Sequence, residues 1–187
     1  LQLVRDAVGP NIEILVDANN GYSAKQAILM ADRFREIGIG WLEEPVAADD
    51  IDGLARVTAA CRVPIATGEH EYTKWGFKDL LARSAMDIAQ PDVGRVGGIT
   101  EWLKVASLAD AHGIPVAPHS YQLVHRHLCM AIPNLKIVEY LGTRECEDEI
   151  VYLDWEKPTN GIWRAEPGKY GLGLELDPEA IQMYRVS

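Results

Sequence analysis

Cysteine is scarce in this chain. Three residues in 187, Cys61, Cys129 and Cys146, make an odd number with no CxxC spacing. That pattern excludes a disulfide framework and fits the reduced thiols of a cytoplasmic protein. Basic charge is also short, with 18 Lys and Arg against 28 Asp and Glu, a net charge of −10 and no Lys/Arg-rich run. Phosphate backbones are held by basic clusters, so nucleic acid is not an expected partner. No stretch approaches the roughly 20 apolar residues of a membrane helix, and the start carries no secretory pattern. GxSxG and HExxH are absent, and the Gly94–Gly98 segment lacks GxGxxG spacing, so neither a serine nucleophile, a zinc helix nor a dinucleotide loop is supported. His125 and His127 fall two apart in a helical pattern, where side chains do not share a face, so they do not read as a metal pair.

What is present is ordinary globular composition, 48% hydrophobic and 25% charged, enough for one sizeable core. Apolar, β-branched runs predict buried parallel strands at Ile12–Val16, Ile39–Leu42, Pro64–Thr67, Met86–Gln90, Ile114–Ala117 and Lys136–Val138. Helical patterns alternate with them. One runs over Ser23–Ile37, with Ser23 as cap and Gly38 as stop. The next starts at Asp49 or Asp50 and ends near Cys61. Others cover Thr73–Arg83 with Thr73 as a cap, Ile99–His112, and Tyr121–Ala131. This alternation argues for an α/β fold with right-handed crossovers. Six strands within residues 1–140 form part of a TIM-type barrel, which takes about 250 residues when closed. The opening LQLVRDAVGPN has no initiator Met and reads as a helix stopped at Gly9-Pro10, so an N-terminal portion with the first two strands is expected to precede it. Residues 141–187 change texture. ECED at Glu145–Asp148 is followed by Pro158, Gly161, Pro167, Gly168, Gly171 and Gly173, and an ordered irregular tail with one hairpin is expected.

Charged side chains recur just past the strands at intervals of 20 to 27 residues: Asp17, Glu43, Glu69, Asp92, His119 and Glu139. Strand ends on one side of a parallel barrel point into one mouth. Any one acid alone reads as a solvated strand-end residue. Three in one register would repel strongly unless a hard divalent cation lay among them, and the oxygen-only set Asp17, Glu43 and Glu69 suits Mg²⁺. Asp92 and His119 end consecutive strands about 4.8 Å apart, close enough for the carboxylate to orient the imidazole as a general acid or base. His70 follows a proposed ligand and is placed to reach substrate.

The motifs DANNGYS (Asp17–Ser23), WLEEP (Trp41–Pro45), GEHEYT (Gly68–Thr73), QPDVGRVGGIT (Gln90–Thr100), PHS (Pro118–Ser120) and VEYL (Val138–Leu141) resemble the enolase superfamily, and within it the mandelate racemase-like subgroup. The resemblance implies strands 3–8 of a (β/α)₇β barrel, whose tail packs on an N-terminal capping domain. It implies that Asp17, Glu43 and Glu69 bind Mg²⁺, with Glu44 behind them, and that Asp92 and His119 form a catalytic dyad. Glu139 would bind the substrate carboxylate or enolate, and Asn19 would touch substrate. The implied reaction removes the proton α to a carboxylate and then a β-hydroxyl. GEHEYTKWGF looks most like sugar-acid dehydratases of the rhamnonate type. A racemase, epimerase or cycloisomerase of the same fold remains open, because the lysine that decides between them belongs upstream of Leu1. So does an inactive barrel fragment or binding module. Homo-oligomers are expected for a barrel of this kind.

Overall fold

The structure, a computed structural model, describes residues 1–164 and 168–186. Its elements run α1 (Gln2–Val8), β1 (Ile14–Asp17), α2 (Ala24–Ile37), β2 (Ile39–Glu43), α3 (Ile51–Ala60), β3 (Ile65–Thr67), α4 (Thr73–Ala82), β4 (Ile88–Ala89), α5 (Ile99–Ala111), α6 (Gln122–Cys129), α7 (Gly142–Val151) and α8 (Pro178–Tyr184). The four strands pair in parallel in the order β1-β2-β3-β4. Single parallel bridges, Ala89 to Val116 and Val116 to Leu135, continue the array by two positions. This is the α/β, TIM-barrel-like arrangement expected, in partial form.

Several boundaries differ from expectation. The strand expected at Ile12–Val16 lies at Ile14–Asp17, which makes Asp17 its last residue. The strand expected at Ile114–Ala117 shrinks to the bridge residue Val116, and in place of the one expected at Lys136–Val138 there is a single bridge one residue earlier, at Leu135. Pro115 and Pro118 flank Val116, and proline offers no ladder donor. Thr73 is the first residue of α4 rather than its cap. The N-terminus of α4 is instead met from α5, where Glu101 Oε1 accepts the Lys74 N–H at 3.0 Å.

Helix α2 forms where the sequence placed it. Ser23 and Gln26 exchange hydrogen bonds in a capping box, and Gly38 closes the helix in the left-handed region at φ 77°. Its buried face, Ala27, Ala31 and Phe34, joins Leu54 and Val57 of α3, Phe77 and Leu80 of α4 and Trp102 and Val105 of α5 in the main core. These residues lie between the helices and the outer face of the sheet. The inner face carries a smaller cluster, Trp41, Ala66, Ile88 and Ala117. Leu15 on β1 and Ile137, two residues past the last bridge, flank it and are 38% and 48% exposed. Helix α1 is tied on by Arg5, whose guanidinium donates to the carbonyls of Gly9, Ile12, Ile37 and Gly38.

The tail is more regular than its composition suggests. ECED lies inside α7, and Asp177 caps α8 with Pro178 in its first turn. The expected hairpin corresponds to antiparallel bridges between Tyr152 and Leu176 and between Thr159 and Ile162. Pro167 lies outside the described residues. The tail returns to α6, where Gln122 donates to Asp148 and the Arg126 guanidinium lies 5.3 Å from the Trp163 ring. Among the described residues no helix is long and apolar enough to cross a membrane.

Candidate active site

Alternation along parallel strands builds the site. Residues i and i+2 of a strand face the same way. Two residues beyond the inner apolar layer of Leu15, Trp41, Ile88, Ala117 and Ile137 stand Asp17, Glu43, Gln90, His119 and Glu139. All but His119 line one cavity of about 420 Å³, with Leu15, Trp41, Ala117 and Ile137 as its floor. Asp17 and Glu43 are direct register partners on β1 and β2.

Glu43 is buried, and its carboxyl is pushed up to about 7. Burial is the main cause. A hydrogen bond from Gln90 opposes it, and the charges of Asp17 and Glu139 add to it. Trp41 Nε1 donates to the same carboxylate at 3.1 Å. Glu44 is 1% exposed and is also pushed up to about 7, by burial and by the charge of Glu69. One of its oxygens accepts from Asn20 Nδ2 at 2.8 Å, while Oε1 is buried without a partner.

Glu69 leaves the strand register through Gly68, whose φ is +132°. A Cβ on Gly68 would stand 2.7 Å from the Phe77 ring, so the turn requires glycine. Arg95 Nη1 donates to Glu69 Oε1 at 3.0 Å, and His119 Nε2 lies 3.5 Å from Glu69 Oε2. His70 is exposed, with Nε2 3.4 Å from Glu44 and 3.5 Å from Glu69. Among the described residues, the group whose ligand-type atoms all lie within 4.8 Å is Glu44, Glu69 and His70. Of the expected trio, Asp17 and Glu43 line the cavity, while Glu69 turns toward Arg95, His70 and His119.

Asp92 is 1% exposed and faces His119, whose Nδ1–H donates to Asp92 Oδ2 at 2.7 Å. Burial raises the Asp92 carboxyl, but His119 and the N–H groups of Gly94 and Arg95 outweigh it and hold the group below its usual range. For His119 burial acts downward, yet the bond to Asp92 and the charges of Glu69 and Glu139 bring it above an ordinary histidine. Glu139 Oε2 accepts the Ser120 N–H at 2.6 Å, which ties it to the residue after His119. Asn19 sits at the rim in the left-handed region, its N–H on Asp17 Oδ1 at 2.7 Å.

Four contributors escaped the sequence reading: Gln90, Arg95, Trp102 and His125. Gln90 was accessible, since it stands two residues past Ile88 in the register of the others. Arg95, Trp102 and His125 reach across loops, and spacing carries no signal for that.

The family described as enolase C-terminal domain-like matches residues 1–180. The D-galactarolactone cycloisomerase of Agrobacterium fabrum is 34% identical, over 98% of this chain and 52% of its own length. The L-rhamnonate dehydratase of Saccharopolyspora erythraea is 35% identical, over 96% of this chain and 48% of its own. A crystal structure of L-talarate dehydratase from Polaromonas sp. JS666, complexed with Mg and L-glucarate, superposes with a TM-score of 0.86 at 34% identity, covering 96% of this chain and 49% of that one. The chain thus spans about half the length of the relatives it matches.

Proposed function

The chain belongs to the enolase C-terminal domain-like family, and from that premise we propose that it carries the metal site and proton-transfer dyad of an Mg²⁺-dependent sugar-acid dehydratase. The observation that carries the reading is the 2.7 Å Asp92–His119 hydrogen bond at the edge of a mouth lined by acids from separate strands.

Asp17, Glu43 and Glu69 are the residues that would hold the cation. Their donors are all oxygen, as a hard divalent ion requires. Burial raises the Glu43 carboxyl most, and the charges of Asp17 and Glu139 that add to it are the repulsion such an ion relieves. When bound, Mg²⁺ supplies positive charge where the substrate carboxylate gains negative charge as its α-proton leaves.

The chain's own residues do the rest. Asp92 holds the proton on His119 Nδ1, which leaves the lone pair on Nε2, the nitrogen 3.5 Å from Glu69 Oε2, to act on substrate. Nε2 takes the α-proton. The same imidazolium then gives a proton to the β-hydroxyl, the C–O bond breaks, and water leaves with no net change in the enzyme. Glu139 orients the substrate from the position next to that of His119, and Asn19 and His70 at the rim contact its distal hydroxyls.

The test is a screen of the full-length protein against sugar acids, including L-rhamnonate and galactarate, with Mg²⁺ and with EDTA. Mg²⁺-dependent formation of 2-keto-3-deoxy acids is expected, and folded, Mg²⁺-loaded protein that consumes none of them would overturn the reading. The similarity to a cycloisomerase supplies the second reading. Loss of a lactone without release of water would select it.

A further inference from the structure

The peptide on each side of Asp92 is gripped from the helices. Trp102 Nε1 on α5 donates to the Pro91 carbonyl at 3.0 Å. The Val93 N–H donates to His125 Nε2 on α6 at 3.2 Å. The other nitrogen of the same ring, His125 Nδ1, lies 2.6 Å from the Ser120 carbonyl, directly after His119. One imidazole therefore spans the backbone following both members of the dyad.

The chemistry of the two contacts fixes the ring. A carbonyl oxygen only accepts and a backbone N–H only donates, so Nδ1 carries the proton and Nε2 the lone pair. The ring is 0% exposed and rests on Trp102 with centroids 5.6 Å apart. The turn it holds is one that L-residues disfavour, since Ser120 and Tyr121 both have positive φ, 55° and 39°. That turn is pinned from its two sides, by Glu139 on the Ser120 N–H and by His125 on the Ser120 carbonyl.

We propose that His125 is a positioning residue that sets the Asp92–His119 hydrogen bond by tying Val93 to Ser120. This rests on the dyad's role in the proposed function. No other side chain of similar size offers a donor and an acceptor at opposite corners of a rigid ring. Asparagine reproduces the donor to Ser120, and glutamine reproduces the acceptor for Val93, but neither reproduces both.

The experiment compares full-length wild type with His125→Phe, His125→Gln and His125→Asn by crystallography with Mg²⁺ alone and by turnover of L-rhamnonate and galactarate. Phenylalanine keeps the ring on Trp102 and loses both ties. In it the 2.7 Å Asp92–His119 separation is expected to open beyond about 3.5 Å. Its kcat, counted per folded molecule, is expected to fall about 10- to 100-fold with KM within about twofold. The Gln and Asn variants each recover part of kcat, and they carry the comparison should His125→Phe fail to fold. An unchanged Asp92–His119 separation in a folded variant overturns the proposal whatever kcat does. Wild type inert toward both acids, with the dyad opened in the variant, supports the positioning role and counts against the dehydratase reading instead.

Discussion

His125 also governs how stability responds to acid. Burial pushes its pKa down to about 4, against a modest upward pull from its bond to Ser120. Between the ordinary histidine value of about 6.5 and pH 4, the unfolded chain binds a proton that the folded chain refuses. Its contribution is therefore present above about pH 6.5 and is lost as pH falls, by up to about 3 kcal/mol. Glu43 and Glu44, pushed up to about 7, act oppositely in the same window because the folded state keeps their protons. Urea unfolding of wild type and His125→Phe at pH 7 and pH 4.5 isolates the histidine: the variant should lose less stability on acidification. At the mouth itself, His119→Asn should reduce turnover at least about 100-fold while leaving the circular dichroism spectrum intact. The Asp92–His119 pair was legible in the sequence because each follows a proline-terminated strand on consecutive units. His125 was not, since its partners are backbone groups of two loops, and its neighbour in the HRH run, His127, faces the tail instead, on the Leu172 carbonyl at 2.9 Å.

Among the elements, α2 and the turn before Glu69 show how glycine acts for two different reasons. At Gly38 a Cβ would meet nothing within 4 Å, so Gly38→Ala is opposed by its left-handed backbone alone. A loss of about 1 kcal/mol is expected in thermal unfolding, similar to removing the Ser23 cap. At Gly68 the same change drives a methyl into the Phe77 ring and to 3.2 Å from the Gln90 nitrogen. Gly68→Ala should therefore displace Glu69 and weaken Mg²⁺ binding about tenfold or more, read by calorimetric titration. Helices α2 to α5 were legible from apolar periodicity, reinforced by the Ser23 and Asp50 caps of α2 and α3. The last two strand positions were only half legible, because proline cuts the ladder while the apolar run persists. Helix α7 was hidden for a simpler reason: it buries no residue, so it has no apolar stripe to read.

At the scale of the whole molecule, acids from separate βα units crowd one end of the sheet in a chain of net charge −10. Added Mg²⁺ should raise the melting temperature and EDTA should reverse it. The gain is about 2.7 kcal/mol at one hundred times Kd. An unchanged melting curve would remove the metal site from the proposal.

The register of Asp17 beside Glu43 has a kinetic side as well. Those two residues become neighbours only after a whole crossover helix has docked, and Glu69 joins after another. An ion that touches all three stabilises only species in which three consecutive units are in place. Chains early in folding offer it one carboxylate at a time and gain little. Mg²⁺ should then leave the refolding limb of a denaturant chevron almost unmoved and slow the unfolding limb, so that the metal acts as a latch on the assembled barrel and not as a guide to its assembly.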